Sequence, residues 1–167
     1  MTDPRIRTAP EFIDEALRLI PAPVAVIGAA RDGVLGGLTA AWVTRVSLVP
    51  PLLMVAVGRE RFTYGLLRDA PEFTVSLLHQ DQVETARLFG LVSGRDRDKW
   101  AEVDHDLLGE GSPALRRCSA RFLCLTEAVV PAGDHDLFIG RIEQAEILAG
   151  APALPMRGAD YAPRTTG

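Results

Sequence analysis

Apolar residues change their spacing several times along the chain, and each change marks an element. Phe12, Ile13, Ala16, Leu17 and Ile20 recur at helical spacing behind Thr8-Ala-Pro-Glu11, which has capping-box spacing and an early proline, so residues 1–20 are expected to hold a short opening helix. Residues 24–27 form the unbroken apolar run of a buried strand, Arg31-Asp-Gly33 reads as a turn, and residues 34–48 read as one further extended stretch. After the break at Pro50-Pro51, the pattern predicts a strand over 52–57, a helix over 62–69, a strand over 73–78 and a helix from near Asp81 to Leu91. Residues 93–106 are charged and loop-like, or irregularly helical around Trp100. Two long strand candidates, 118–130 and 137–148, flank Pro131-Ala-Gly-Asp-His135. Strands outnumber helices and the early ones are joined by short turns, so the expected fold is mainly β, a barrel with a few peripheral helices, rather than alternating βαβ units.

Composition narrows the function. A chain of 167 residues, 47% apolar and 24% charged, is expected to form a single globular domain over 1–167. That length leaves no room for a complete Rossmann domain beside a substrate domain, so any dinucleotide chemistry must use a smaller device. The bases are 17 Arg and one Lys (Lys99), and net charge is -4. The arginines alternate with acids, as in Arg59-Glu60-Arg61 and Arg95-Asp96-Arg97-Asp98, which argues against nucleic acid as a partner. The longest uncharged runs, 19–30 and 46–58, contain prolines and fall short of the ~18–20 apolar residues of a spanning helix. With no hydrophobic region at the start to act as a signal peptide, no membrane association and a cytoplasmic location are expected. Cys118 and Cys124, placed on one strand, share a face about 20 Å apart and cannot pair; they read as buried thiols in a reducing compartment.

Hydrolase and metal signatures are missing: there is no GxSxG, HExxH, CxxC or GxGxxG, and His79, His105 and His135 are scattered, so no metal is expected. Asp-His-Asp-Leu-Leu at 104–108 and Asp-His-Asp-Leu-Phe at 134–138 nearly repeat, which reads as coincidence. Thr39, Thr44 and Ser47 lie among Gly36, Gly37, Ala40 and Ala41. Such a stretch admits a ligand to the backbone, and tight strand packing explains it equally well. Arg59-Glu-Arg-Phe-Thr63 opens the next helix, where amides, the helix dipole and the Arg and Thr side chains favour an anion; Thr63 as a helix cap is the alternative. Taken together, the two segments suit a phosphate-bearing planar ligand.

Gly37-Leu-Thr-Ala-Ala-Trp-Val-Thr-Arg-Val-Ser-Leu-Val-Pro-Pro-Leu52 resembles the early flavin-binding signature of the flavin reductase-like family, whose fold is the FMN-binding split barrel. Arg61-Phe-Thr63 with Glu72-Phe-Thr-Val-Ser-Leu-Leu78, then Ser93-Gly94, Asp98-Lys99-Trp100, Gly133-Asp-His-Asp-Leu-Phe-Ile-Gly140 and Arg157-Gly-Ala-Asp-Tyr161 follow in the family's order, so the resemblance runs from about 20 to 162. It implies an NAD(P)H-dependent flavin reductase, homodimeric, that binds FMN (or FAD), takes hydride from NADH or NADPH and supplies reduced flavin to a monooxygenase partner. In that reading Thr39, Ala40, Ala41 and Trp42 border the flavin ring, while Thr44 and Ser47 serve the ribityl chain and phosphate. Arg59, Arg61 and Thr63 hold the phosphate, and His135 is the catalytic candidate where the nicotinamide docks. Without the motif, His135 reads as a hairpin histidine bonded to Asp134 or Asp136. Hydride transfer between stacked rings needs orientation but no protein nucleophile or metal.

The chain departs from the family pattern at Trp42, where reductase components more often carry a small residue and the flavoredoxin-like branch is similar, at Ser76 in place of Asn, and at Arg61 in place of Ser. Two other readings follow: an electron carrier that holds FMN tightly without efficient NAD(P)H oxidation, and a split barrel that has lost flavin.

Overall fold

Runs of Val, Ile, Leu and small residues pair into one antiparallel sheet of seven strands in a computed structural model that describes residues 9–148 and 152–157. In chain order these are β1 (Ala25–Arg31), β2 (Val34–Ala40), β3 (Val43–Ser47), β4 (Leu52–Gly58) and β5 (Glu72–Leu77), a separate hairpin of β6 (His105–Leu108) and β7 (Ser112–Leu115), and the long pair β8 (Ala120–Ala132) and β9 (His135–Ile147). The order across the sheet is β2-β1-β5-β8-β9-β4-β3. Helix α1 (Pro10–Leu17) precedes it, α2 (Phe62–Asp69) follows β4, and α3 (Val83–Leu91) follows β5; a one-turn 3-10 helix spans Trp100–Glu102.

The extended stretch 34–48 is not one strand. It breaks at Ala41-Trp42 because its halves pair with different partners: Val34–Ala40 with β1, from Arg31↔Val34 to Ala25↔Ala40, and Val43–Ser47 with β4. β2 and β3 are therefore opposite edges of the sheet although Ala40 and Val43 are neighbours in the chain. A flat seven-stranded sheet would hold its edges about 29 Å apart at ~4.8 Å per strand. Three residues reach about 10–11 Å at most. The sheet must therefore curl until its edges meet. Among the described residues no ladder joins β2 to β3, so the barrel stays split along that seam. Bulges in the β8–β9 pairing, at Leu123/Cys124 and Thr126/Ala128, supply local bend and twist.

The curled sheet is apolar on both faces, which explains the unbroken run at 24–27. Ala25 and Ile27 point into the barrel with Val55, Phe73, Val75 and Phe138. Val24 and Val26 point outward to a second core with Leu78, Phe89, Trp100 and Leu115, closed by α3 and the 3-10 turn. Cys118 belongs to the outer core and Cys124 to the barrel. Cys118 precedes β8, so the two thiols do not share a strand face as the periodicity suggested; burial pushes Cys118 up to about 11 and Cys124 up to about 12. The N-cap of α1 is Ala9, which has no polar side chain to make a capping box, with Pro10 at the first helical position; Thr8 lies outside the described residues. No helix among the described residues is long and apolar enough to cross a membrane.

The outer layer is seated by close approach at Gly28. A Cβ there would collide with the Pro113 carbonyl oxygen and lie 2.5 Å from Thr74 Oγ1, the hydroxyl that donates to that same carbonyl. Gly28→Ala is expected to destabilise the fold by about 1–3 kcal/mol in urea unfolding. An unchanged midpoint would mean that β7 does not rest on β1.

Candidate functional site

The seam and the β8–β9 hairpin converge at one end of the barrel. Trp42, in the link between β2 and β3, is 56% exposed, and its ring centroid lies 4.7 Å from that of His135 at an interplanar angle of 52°. His135 opens β9 directly after the turn at Gly133-Asp134, where Gly133 takes φ +62°. Asp134 Oδ1 lies 2.7 Å from His135 Nδ1, and that bond holds the Asp134 carboxyl below the usual range. The hairpin reading of His135 is thus correct about its partner, while the ring also stands against Trp42. Asp136, two residues from Asp134, is 7% exposed and receives Arg59 Nε on Oδ1 at 2.8 Å and the Tyr64 hydroxyl on Oδ2 at 2.7 Å. Arg59 first and Tyr64 second hold its carboxyl low.

Gly58 and Glu60 link this end to a cleft between the N-terminus of α2, the C-terminus of α3 and the segment after it: a Cβ on Gly58 would lie 3.5 Å from His135 Nε2 and 3.1 Å from Glu60 Oε1, and Glu60 lines the cleft. One lobe, of about 320 Å³, is lined by Arg61, Thr63, Ser93, Arg95 and Lys99 among others; an adjoining lobe of about 390 Å³ shares Arg95 and Lys99 and reaches Trp100. Arg61 occupies the N-cap of α2 and makes no side-chain cap bond; Phe62 and Thr63, which begin the helix, line the cleft, while the Tyr64 amide donates to Arg61 O at 3.0 Å. Lys99, 5% exposed, donates to the carbonyls of Phe89 (3.2 Å) and Val92 (2.9 Å). Burial, and secondarily the charge of Arg61, push it down to about 8. Trp100 Nε1 is buried without a hydrogen-bond partner. Three guanidinium groups (Arg61, Arg95 and Arg97) and the Lys99 ammonium exceed by one charge the carboxylates of Glu60, Asp96 and Asp98 along the two lobes, so the lining is net cationic, the complement of a phosphate ester. The exposed indole of Trp42 and the imidazole of His135 supply aromatic faces for a planar ring, so the residues present fit a flavin.

The candidates from sequence divide between these places. Trp42 and His135 meet at the seam; Arg61 and Thr63 line the cleft. Thr63 lies inside α2, beyond the N-cap, so it is not the cap. Thr39 donates its hydroxyl to Ala86 O at 2.7 Å, tying β2 to α3. Ala40 is buried and Ala41 half-buried, while Thr44 is exposed and Ser47 half-buried on β3, outside the cleft lining. Arg59 is bound to the hairpin and does not line the cleft. Packing accounts for Gly36 and Gly37: a Cβ on the first would lie 2.5 Å from Leu66 Cδ1, and on the second 2.5 Å from Phe89 Cε1 and 2.9 Å from Trp100 Nε1. Missing from the expected site set were Lys99, Ser93 and Arg95, although Lys99, the one lysine of an arginine-rich chain, was a visible signal. Asp136 stood in the Gly133–Gly140 motif, but its pairing with Arg59 and Tyr64 carried no signal until β4 and β9 were paired.

The profile described as Flavin reductase like domain matches residues 17–162. The chain belongs to the flavin reductase like family. A reductase component of an FADH(2)-dependent resorcinol hydroxylase from Rhizobium sp. is 32% identical over 163 residues, covering 92% of this chain and 88% of that one. An NADH:riboflavin 5'-phosphate oxidoreductase from Streptomyces pristinaespiralis is 35% identical over 155 residues, 90% and 84% of the two chains. The structure of an NADH:FAD oxidoreductase from Streptomyces globisporus superposes with a TM-score of 0.82 at 28% identity, covering 93% of this chain and 94% of that one. This chain spans half the length of an uncharacterized Aeropyrum pernix protein to which it is 37% identical over 135 residues. The split barrel of this flavin reductase like chain thus carries its aromatic pair and its cationic cleft on the fold of flavin reductases.

Anion binding in the cleft should depend on the charge of Lys99. An anion favours the ammonium, so binding is strongest below about pH 8 and is lost as pH rises through that value. Sulfate, whose own charge is constant there, is expected to bind several-fold more weakly above that step in calorimetric titrations, and Lys99→Gln to flatten the profile. A step that persists in Lys99→Gln contradicts the assignment.

Proposed function

We propose that this chain is an NAD(P)H-dependent flavin reductase that binds FMN or FAD and supplies reduced flavin to a monooxygenase. The observation that carries the reading is the adjacency of a net cationic cleft to an exposed indole–imidazole pair: one end suits a phosphate, the other a planar ring. A bound flavin accepts hydride from a nicotinamide and passes its two electrons on. The protein's part is placement. Arg61, Arg95, Lys99 and the α2 amides hold the phosphate, Trp42 borders the ring system, and His135, with Nδ1 committed to Asp134, turns its other nitrogen to the nicotinamide as a hydrogen-bond donor or proton source. Relatives described as reductase components of a resorcinol hydroxylase and of a 4-nitrophenol monooxygenase support the monooxygenase as electron recipient.

The chain is proposed to work as one domain over 1–167, as a homodimer in the cytoplasm, where its two buried thiols stay reduced. Apolar side chains beside the seam favour a second copy: Val46, Leu48 and Val49 are exposed, Val49 by 92%. A second reading, an FMN carrier that uses nicotinamide poorly, is favoured by Trp42 itself, whose indole stands against His135 in the approach to the ring.

Steady-state oxidation of NADH and of NADPH with added FMN separates the two: turnover is expected, and a yellow protein inert toward both nicotinamides would sink the reductase reading. Light scattering on the same sample should give a dimer, and a fully active monomer contradicts that part. His135→Ala is expected to lower kcat/KM for the nicotinamide about tenfold or more while flavin affinity stays within about twofold. Unchanged turnover would make the histidine structural only.

A further inference from the structure

Arg59 stands at the end of β4, three positions before Phe62 opens α2, where a cation is expected to face a phosphate. The structure turns it the other way. Its Nε donates to Asp136 Oδ1 at 2.8 Å, Nη2 approaches the same oxygen at 2.6 Å and His135 O at 3.3 Å, and Nη1 donates to Gly133 O at 2.9 Å. Its backbone N–H reaches Asp134 O at 3.4 Å, extending the β4–β9 ladder in which Gly58 pairs with His135. One guanidinium therefore holds both sides of the turn that presents His135. Tyr64, from α2, takes the other oxygen of Asp136, so the carboxylate that anchors Arg59 is itself held from a second element.

We propose that Arg59 is a positioning residue: by clamping the Gly133–Asp136 turn it fixes the His135 ring against Trp42, and so governs use of the nicotinamide rather than affinity for the flavin phosphate. The proposal rests on the flavin reductase reading. Withdrawing Arg59 to bind a phosphate would strip a nearly buried carboxylate of its cation and leave two carbonyls without their donor, an exchange that Arg61, Arg95 and Lys99 in the cleft make unnecessary. A guanidinium suits this task because its fork meets several acceptors in one plane; an ammonium is a point donor and cannot bridge them all.

The test compares Arg59→Gln and Arg59→Lys with the unsubstituted protein in two measurements. The first is the nuclear Overhauser contact between the Trp42 and His135 rings, read without nicotinamide. The second is steady-state kinetics beside flavin affinity. In Arg59→Gln the ring contact is expected to disappear and kcat/KM for the nicotinamide to fall about tenfold, with flavin affinity within about twofold. Arg59→Lys, which keeps the charge opposite Asp136 but not the fork, should recover only part of the loss. In His135→Ala the Arg59→Gln change should lower kcat/KM no further. The proposal is overturned if the ring contact and kcat/KM survive in Arg59→Gln, as a purely stabilising clamp would allow, or if flavin affinity falls as far as kcat/KM, as a phosphate ligand would require. Should Arg59→Gln not fold, Arg59→Lys is judged by the same two outcomes. If the unsubstituted protein oxidises neither nicotinamide, the reductase reading fails there, and the ring contact alone decides the positioning role.

Discussion

The three-residue step from Ala40 to Val43 is the constraint on which the rest of the structure depends. It joins the two edges of a seven-stranded sheet, and covalent reach alone makes the sheet curl. Curling brings the link, with Trp42 in it, to the end of the barrel where β9 begins, so the indole meets His135 across the seam. A closed ladder between β2 and β3 would have satisfied those edges with hydrogen bonds. The split instead leaves a short irregular connection whose side chain is free to meet a ligand.

Charge is distributed by the same geometry. Arg59 and Arg61 flank one glutamate in the chain, yet they serve different structures: Arg59 faces the hairpin and neutralises Asp136, while Arg61 faces the cleft and depresses Lys99. The strand–turn–helix passage between β4 and α2 causes this division, because Arg59 still lies along the β4–β9 ladder whereas Arg61 has reached the helix cap. The cleft lining keeps a net positive charge, and the hairpin keeps its charges paired. A phosphate is drawn to the former, and the latter is free to stay rigid.

Much of this was legible in the chain. The alternation of apolar runs and turns placed most strands, and helix α2 spans 62–69 as the pattern predicted. Motif order marked Trp42, Arg61, Thr63 and His135. What was hidden depended on pairing. A single extended pattern over 34–48 cannot reveal that its halves join opposite edges, since each half is locally good strand. The β6–β7 hairpin was obscured by the charged segment before it and by Pro113, which sits in a strand outside the main sheet. Thr39 and Arg59 carried the right chemistry for a ligand but were claimed by protein partners far away in the chain, Ala86 and Asp136. Lys99 stood out in the sequence as the one lysine, but its burial under the carbonyls of Phe89 and Val92 depends on how α3 ends.

In the proposed complex one end of the split barrel receives a flavin, with its phosphate in the Arg61–Lys99 cleft and its ring at the Trp42–His135 pair. A crystal structure of the FMN complex tests it most directly. The phosphate is expected within hydrogen-bond distance of the α2 amides and of Arg61 or Lys99, the ring system beside Trp42 and His135, and Arg59 still on Asp136. A phosphate bound by Arg59, or a ring lying away from the seam, would contradict it.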